Sequence, residues 1–148
     1  MIPYSTQTID SDDIKSVVKV LKSSFLTNGP TVKKFEKSIS GYTNSKYALT
    51  FNSATSALHA SCMALSLKKG DYFWTIPNSF VSSATCGLLC GAKVDFVDID
   101  VNTNNISIQL LKDKLYRAKK NNTLPKILIP VHLAGFPCNQ DEIWELSK

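Results

Sequence analysis

Short apolar runs alternate with stretches of helical periodicity along the whole chain, and few architectures accept that order. Residues 10–23 open with Asp10, Asp12 and Asp13, and then carry Ile14, Val17, Val18 and Leu21 on one face. Early acids and a 3.6-residue period predict an amphipathic helix. The segment Phe25-Leu26-Thr27-Asn28-Gly29-Pro30 breaks it with turn formers. A second short helix aligns Val32, Phe35 and Ile39 and is expected to stop near Gly41. Strands are predicted over residues 47–51, 72–76, 93–97 and 126–131. The helices expected between and after them run from the link at residues 52–56 to about 67, from 80 to about 90, through Ile108, Leu111 and Leu115, and from Asp141 onward. Four β-α units in succession predict an α/β fold, a three-layer arrangement with a mostly parallel sheet covered by helices on both faces.

Composition narrows the classes of function. The 148 residues are 43% hydrophobic and 20% charged, enough for a core and too apolar for intrinsic disorder. The longest apolar stretch, residues 127–137, holds His132 and two prolines and falls short of the ~18 residues of a membrane span. The first residues lack both a basic start and an apolar run, so no secretion signal is expected and the expected compartment is cytoplasmic. The net charge of +5 comes almost entirely from lysine, because Arg117 is the single arginine. Arginine forks carry most base and phosphate recognition, so no nucleic-acid partner is expected. Cys62, Cys86, Cys90 and Cys138 form no Cys-x-x-Cys pair and read as small buried hydrophobes, with no metal site.

In parallel sheets ligands collect beyond the carboxyl ends of the strands, and three connectors fall there. Asn52-Ser53-Ala54-Thr55-Ser56-Ala57 joins a predicted strand to a helix. Small residues, hydroxyls and the free N–H groups of a helix start suit an anion such as phosphate; they equally suit a plain Ser N-cap. Neither a P-loop nor a Gly-x-Gly-x-x-Gly fingerprint is present. In Pro77-Asn78-Ser79-Phe80 the aromatic either stacks on a flat heteroaromatic ligand or packs in the core. His132, in Val131-His132-Leu133-Ala134-Gly135, either meets a ligand or ties neighbouring backbone. Asp98 and Asp100 suit turn and cap work, and no paired-carboxylate or Ser-His-Asp arrangement appears.

Taken in order, these segments resemble the N-terminal part of the DegT/DnrJ/EryC1/StrS family of pyridoxal-phosphate sugar aminotransferases. The resemblance rests on residues 25–30 with Phe35-Glu36, on Asn52-Ser53-Ala54-Thr55-Ser56-Ala57-Leu58, on Gly70-Asp71 and on Pro77-Asn78-Ser79-Phe80-Val81. It continues through Gly91-Ala92, Phe96-Val97-Asp98-Ile99-Asp100 and Pro130-Val131-His132-Leu133-Ala134-Gly135. It implies the N-terminal portion of the large domain of the aspartate-aminotransferase-like fold (fold type I of pyridoxal-phosphate enzymes). Residues 1–148 would then be an incomplete major domain, without the remainder of that domain and the C-terminal small domain.

The implied cofactor is pyridoxal 5'-phosphate, the amino donor glutamate, and the acceptor C4 of a UDP-linked 4-keto-6-deoxy-N-acetylhexosamine. Ala54 and Thr55 would meet the cofactor phosphate, and Phe80 would stack on its ring. Tyr4, Ser24, Phe25, Leu26 and Thr27 would line the UDP-sugar site. The family's cofactor-linked lysine matches none of the sixteen lysines here, so no catalytic residue is assigned and the chain alone is expected to be inactive. A related 3- or 4-aminotransferase or a sugar dehydratase would share these segments, and so would a non-catalytic nucleotide-sugar-binding or scaffold remnant. The family implies a homodimer for the complete enzyme. Unpaired strand edges in so short a piece predict self-association.

Overall fold

The computed structural model describes residues 2, 3 and 5–148, which divide into two compact units, one ending at Thr50 and one beginning at Phe51. Helix α1 spans Ser11–Leu21 in the first unit. Its start is a reciprocal cap: the Asp10 carboxylate accepts the N–H groups of Asp12 and Asp13 at 2.8 and 3.0 Å, while the Asp13 carboxylate accepts the Asp10 N–H at 3.0 Å. Those backbone donors hold the Asp10 carboxyl below the usual carboxylate range. The apolar face formed by Ile14, Val17, Val18 and Leu21 is exposed.

Helix α2 covers Pro30–Thr43, with proline in the first turn, where its missing N–H costs nothing. It runs through Gly41 rather than ending there. A lone glycine lowers helix propensity by about 1 kcal/mol but does not terminate a helix. Termination comes at Asn44, which takes the left-handed conformation (φ 52°) while the Ser45 N–H reaches the Ser40 carbonyl at 3.1 Å. Residues 47–51, expected as a strand, are irregular in the structure. A strand needs a ladder partner, and among the described residues the Thr50 N–H and hydroxyl both donate instead to the Glu36 carboxylate at 2.9 Å.

The second unit holds the sheet. Helix α3 (Ala54–Ala64), strand β1 (Tyr72–Thr75), helix α4 (Ser82–Leu88), strand β2 (Lys93–Phe96), helix α5 (Ile108–Lys120), strand β3 (Pro125–Ile129) and helix α6 (Gln140–Leu146) follow one another. The sheet has three strands rather than four, in the order β2-β1-β3, all parallel. Its two faces carry different cores, because neighbouring side chains on a strand point to opposite sides. Phe73, Val94, Ile127 and Ile129 join Cys62, Leu67, Cys86 and Ala92 under α3 and α4. Trp74, Ile76 and Leu128 join Leu111, Leu115, Ala118 and Ile143 under α5 and α6. Helix, sheet, helix is therefore the three-layer order expected.

Phe73 and Trp74 are fully enclosed on opposite faces of the central strand. The small residues of α4 make the first possible, since Gly87 lies directly over the Phe73 ring. The Lys114 ammonium sits 5.0 Å from the centre of the Trp74 ring and 2.7 Å from the Asp95 carboxylate. Thr75, buried in β1, donates its hydroxyl to the Ile129 carbonyl at 3.0 Å and ties the strand to β3. The cysteines take the core positions expected of them: Cys62, Cys86 and Cys138 are buried and all four are free thiols.

Candidate functional site

Helix α3 returns the chain to the start of β1 through residues 65–71, so its N-terminus lies toward the carboxyl end of the sheet. Ser53 is the N-cap, with extended backbone, and its hydroxyl accepts the Ser56 N–H at 3.2 Å. The first helical hydrogen bond is from the Ala57 N–H to the Ser53 carbonyl at 3.1 Å. The N–H groups of Ala54 and Thr55 meet no acceptor among the described residues. Ser53 thus caps the helix, and two donors at its positive end stay without a partner among the described residues. Ala54 is exposed and Thr55 is partly so. No Asp or Glu occurs between Glu36 and Asp71 in the sequence, so this connector carries no negative side chain of its own. The dipole of an 11-residue helix favours an anion at such a start by about 0.3–1 kcal/mol in exposed settings.

Phe80 follows the carboxyl end of β1 through the turn at Pro77, in which the Ser79 N–H donates to the Pro77 carbonyl at 3.1 Å. Its side chain is 74% exposed, so packing in the core does not explain it. Helix α4 begins only at Ser82, and the buried Ser83 hydroxyl pairs with Ser79 at 2.8 Å, fixing the base of the turn that presents Phe80. Free amide donors with hydroxyls beside them, and a displayed aromatic face, are the groups that a phosphorylated heteroaromatic ring requires. The residues present fit pyridoxal phosphate in chemistry.

In the first unit, Ser24, Phe25, Leu26 and Thr27 form the irregular link between α1 and α2. Phe25 and Leu26 are 62% and 65% exposed, and the Ser23 hydroxyl braces the link by donating to the Phe25 carbonyl at 3.1 Å. A Cβ at position 29 would lie 2.9 Å from the Cβ of Phe25, so this bend requires glycine. Tyr4 lies outside the described residues.

His132 is engaged by backbone: its Nδ1 accepts the Cys138 N–H at 3.0 Å, and its Nε2 lies 3.3 Å from the Gln140 amide. Asp98 and Asp100 do the turn work expected, Asp100 accepting the N–H groups of Asn102 and Thr103 at 3.0 Å each. Among the buried polar residues that sequence does not single out is Asn105, whose side chain holds the turn after β3. Asparagine in an Asn-rich loop carries no signal of a partner some thirty positions away.

A family model described as the DegT/DnrJ/EryC1/StrS aminotransferase family matches residues 7–148. The chain is 40% identical over 148 residues to a UDP-4-amino-4,6-dideoxy-N-acetyl-beta-L-altrosamine transaminase of Campylobacter jejuni, covering 100% of this chain and 38% of that protein. Among solved structures it superimposes on Helicobacter pylori PseC, an aminotransferase involved in the biosynthesis of pseudoaminic acid. That match has a TM-score of 0.88 at 32% identity, over 97% of this chain and 38% of the other. The sugar aminotransferase Spr1654 of Streptococcus pneumoniae, described as putative and in its PLP form, matches with a TM-score of 0.86 at 30% identity, over 98% and 36%. The chain spans between 36% and 38% of the length of the curated relatives it matches.

Proposed function

The chain belongs to the DegT/DnrJ/EryC1/StrS aminotransferase family, and from that premise we propose that it supplies the cofactor-phosphate end and part of the sugar site of a pyridoxal-phosphate sugar aminotransferase. The reaction proposed is transfer of an amino group from glutamate to C4 of a UDP-4-keto-6-deoxy-N-acetylhexosamine, as in pseudaminic acid synthesis. The observation that carries this reading is the pair of N–H groups at Ala54 and Thr55 without an acceptor among the described residues, in the same unit as the exposed Phe80.

When bound, pyridoxal phosphate supplies the electron sink for amino-group transfer. The residues of this chain bind and orient it. The Ala54 and Thr55 N–H groups, with the hydroxyls beside them, would hold the phosphate at the helix start. Phe80 would offer its exposed face to the ring. Tyr4, Ser24, Phe25, Leu26 and Thr27 receive the UDP-sugar, which accounts for two large apolar side chains in a polar link. None of the lysines here takes the role of the family's cofactor-linked lysine, so the 148 residues alone do not turn over. The complete enzyme acts as a cytoplasmic homodimer in this reading.

Two assays test it. With glutamate, pyridoxal phosphate and a 4-keto nucleotide sugar, the isolated chain should show no transamination, and turnover above background contradicts the assignment of an incomplete catalytic set. Titration with pyridoxamine 5'-phosphate should give phosphate-dependent binding that Ala54→Asp weakens at least about tenfold, because the new carboxylate faces the phosphate while still suiting a helix start. Equal binding by pyridoxamine, or no effect of Ala54→Asp, rejects the phosphate site.

A further inference from the structure

The turn that follows β3 is irregular and exposed, yet it is braced from below. Leu133–Gly135 form a single 3-10 turn in which the Gly135 N–H donates to the His132 carbonyl at 3.1 Å and the Phe136 N–H to the Leu133 carbonyl at 2.9 Å. Ala134 (φ 52°) and Gly135 (φ 81°) are both left-handed. That conformation is disfavoured for a residue with a Cβ, and strained backbone of this kind persists only where surrounding contacts impose it.

The contact responsible is Asn105, 3% exposed. Its Oδ1 accepts the Leu133 N–H at 3.0 Å and its Nδ2 donates to the Phe136 carbonyl at 2.9 Å, so one carboxamide spans the turn from entry to exit. Asn105 is itself fixed, because its own carbonyl accepts the Asp100 N–H at 2.8 Å and its N–H meets the Thr103 hydroxyl at 3.3 Å. On the other side the Cys138 N–H holds His132, and the Cys138 thiol donates to the Val131 carbonyl at 3.2 Å. Within the turn itself Ala134, Gly135 and Phe136 are exposed. They lie beyond the carboxyl end of β3, where ligands of parallel sheets bind.

We infer that Asn105 is a positioning residue: its buried carboxamide sets the turn Leu133–Phe136, so that the backbone of Ala134 and Gly135 stands as a fixed wall against the nucleotide-sugar substrate. This rests on the function proposed above, since it takes the substrate to be a UDP-sugar bound at that end of the sheet. A glutamine is too long to span the same turn, and an aspartate retains only the acceptor half.

Amide hydrogen exchange and NMR titration of the chain test the inference. UDP-N-acetylglucosamine is the substrate probe, and pyridoxamine 5'-phosphate is an independent control on the cofactor end. In the unsubstituted chain the Leu133 amide should be protected, and the amides of Ala134 and Gly135 should shift with the UDP-sugar. In Asn105→Ala the Leu133 protection should fall by about tenfold, as expected for loss of one hydrogen bond to a buried group. The β1–β3 ladder should keep its protection, the Ala134 and Gly135 response should be lost, and the Ala54 and Thr55 response to pyridoxamine 5'-phosphate should persist. Should Asn105→Ala not fold, Asn105→Asp serves in its place: Leu133 stays protected while the Phe136 and Gly135 resonances move and the UDP-sugar response weakens. The inference is overturned if Leu133 keeps its protection in Asn105→Ala, if the UDP-sugar response at Ala134 and Gly135 survives that loss, if Asn105→Asp leaves it unchanged, or if those amides never respond. Loss of the pyridoxamine 5'-phosphate response alone counts against the proposed function and not against Asn105.

Discussion

Replacing Gly87 by alanine should destabilise the second unit, against the usual direction for a helical glycine. In an open helix, Gly→Ala gains about 0.5–1 kcal/mol, because alanine loses less conformational freedom. At position 87 a Cβ would lie 2.3, 2.5 and 2.5 Å from three atoms of the Phe73 ring, about 1 Å inside ordinary contact. The ring has no route out. Phe73 is 0% exposed on the central strand, and its pocket is closed by Cys62, Leu67, Cys86 and Ala92. Overpacking of this kind costs about 1–3 kcal/mol, and contact with three ring atoms argues for the upper half of that range. After the propensity gain, a net loss of about 1–2.5 kcal/mol remains.

The assay is urea denaturation followed by the fluorescence of Trp74, which is 2% exposed on the strand that carries Phe73. Phe73→Leu should cost stability by itself and yet relieve Gly87→Ala, so the double variant should be more stable than the sum of the singles, by about 1 kcal/mol or more. Gly41→Ala is the control: nothing lies within 4 Å of its added Cβ, and α2 should gain about 0.5–1 kcal/mol. A Gly87→Ala protein as stable as the parent, or purely additive Gly87 and Phe73 changes, would refute the packing argument.

Asp95 gives a pH dependence. Burial raises its carboxyl pKa, but the hydrogen bonds from Lys114 and the Phe96 N–H and the Lys114 charge outweigh it, and the group titrates below its ordinary value of 3.8. A depressed folded pKa means stability that is full above the unfolded value and is lost as pH falls through the folded one. Asp95→Asn should therefore flatten the acid limb of the stability profile, at a neutral-pH cost of no more than about 1 kcal/mol, since the Asp95 side chain is 54% exposed and solvent screens the pair. An acid limb unchanged in Asp95→Asn would contradict this. For the thiols, burial first and the nearby Cys86 second push Cys62 up to about 12, and burial also raises Cys138. At pH 8, iodoacetamide should label the half-buried Cys90 well before Cys62, as read by mass spectrometry of the peptides. Equal rates in the folded chain would show that the α3–α4 core is open.

The alternation of strands and helices was legible because it follows from local periodicity, and the sheet order only had to respect right-handed parallel crossovers. Residues 47–51 carry strand-like composition, but a strand exists only in a pair, and partners are a long-range property. Glycine composition points to an end of α2 near Gly41, but the left-handed residue that stops the helix is Asn44. Phe80 was legible as an aromatic in a telling place, while its exposure depends on Ser79 and Ser83 pinning the turn behind it. Asn105 was not legible, since its acceptor and donor lie 31 and 28 positions away. Local chemistry marks a cap or a turn, and burial of a carboxamide against a distant loop needs the fold.

In the proposed function the start of α3 and Phe80 together receive the cofactor. NMR titration of the chain with pyridoxamine 5'-phosphate tests it most directly, because that amine cannot condense with the sixteen lysines and so reports only the non-covalent cradle. Shifts are expected at the amides of Ala54 and Thr55 and at the ring protons of Phe80, with the two amide shifts absent when pyridoxamine is used. Shifts confined to surface lysines, or identical responses to both probes, would contradict it.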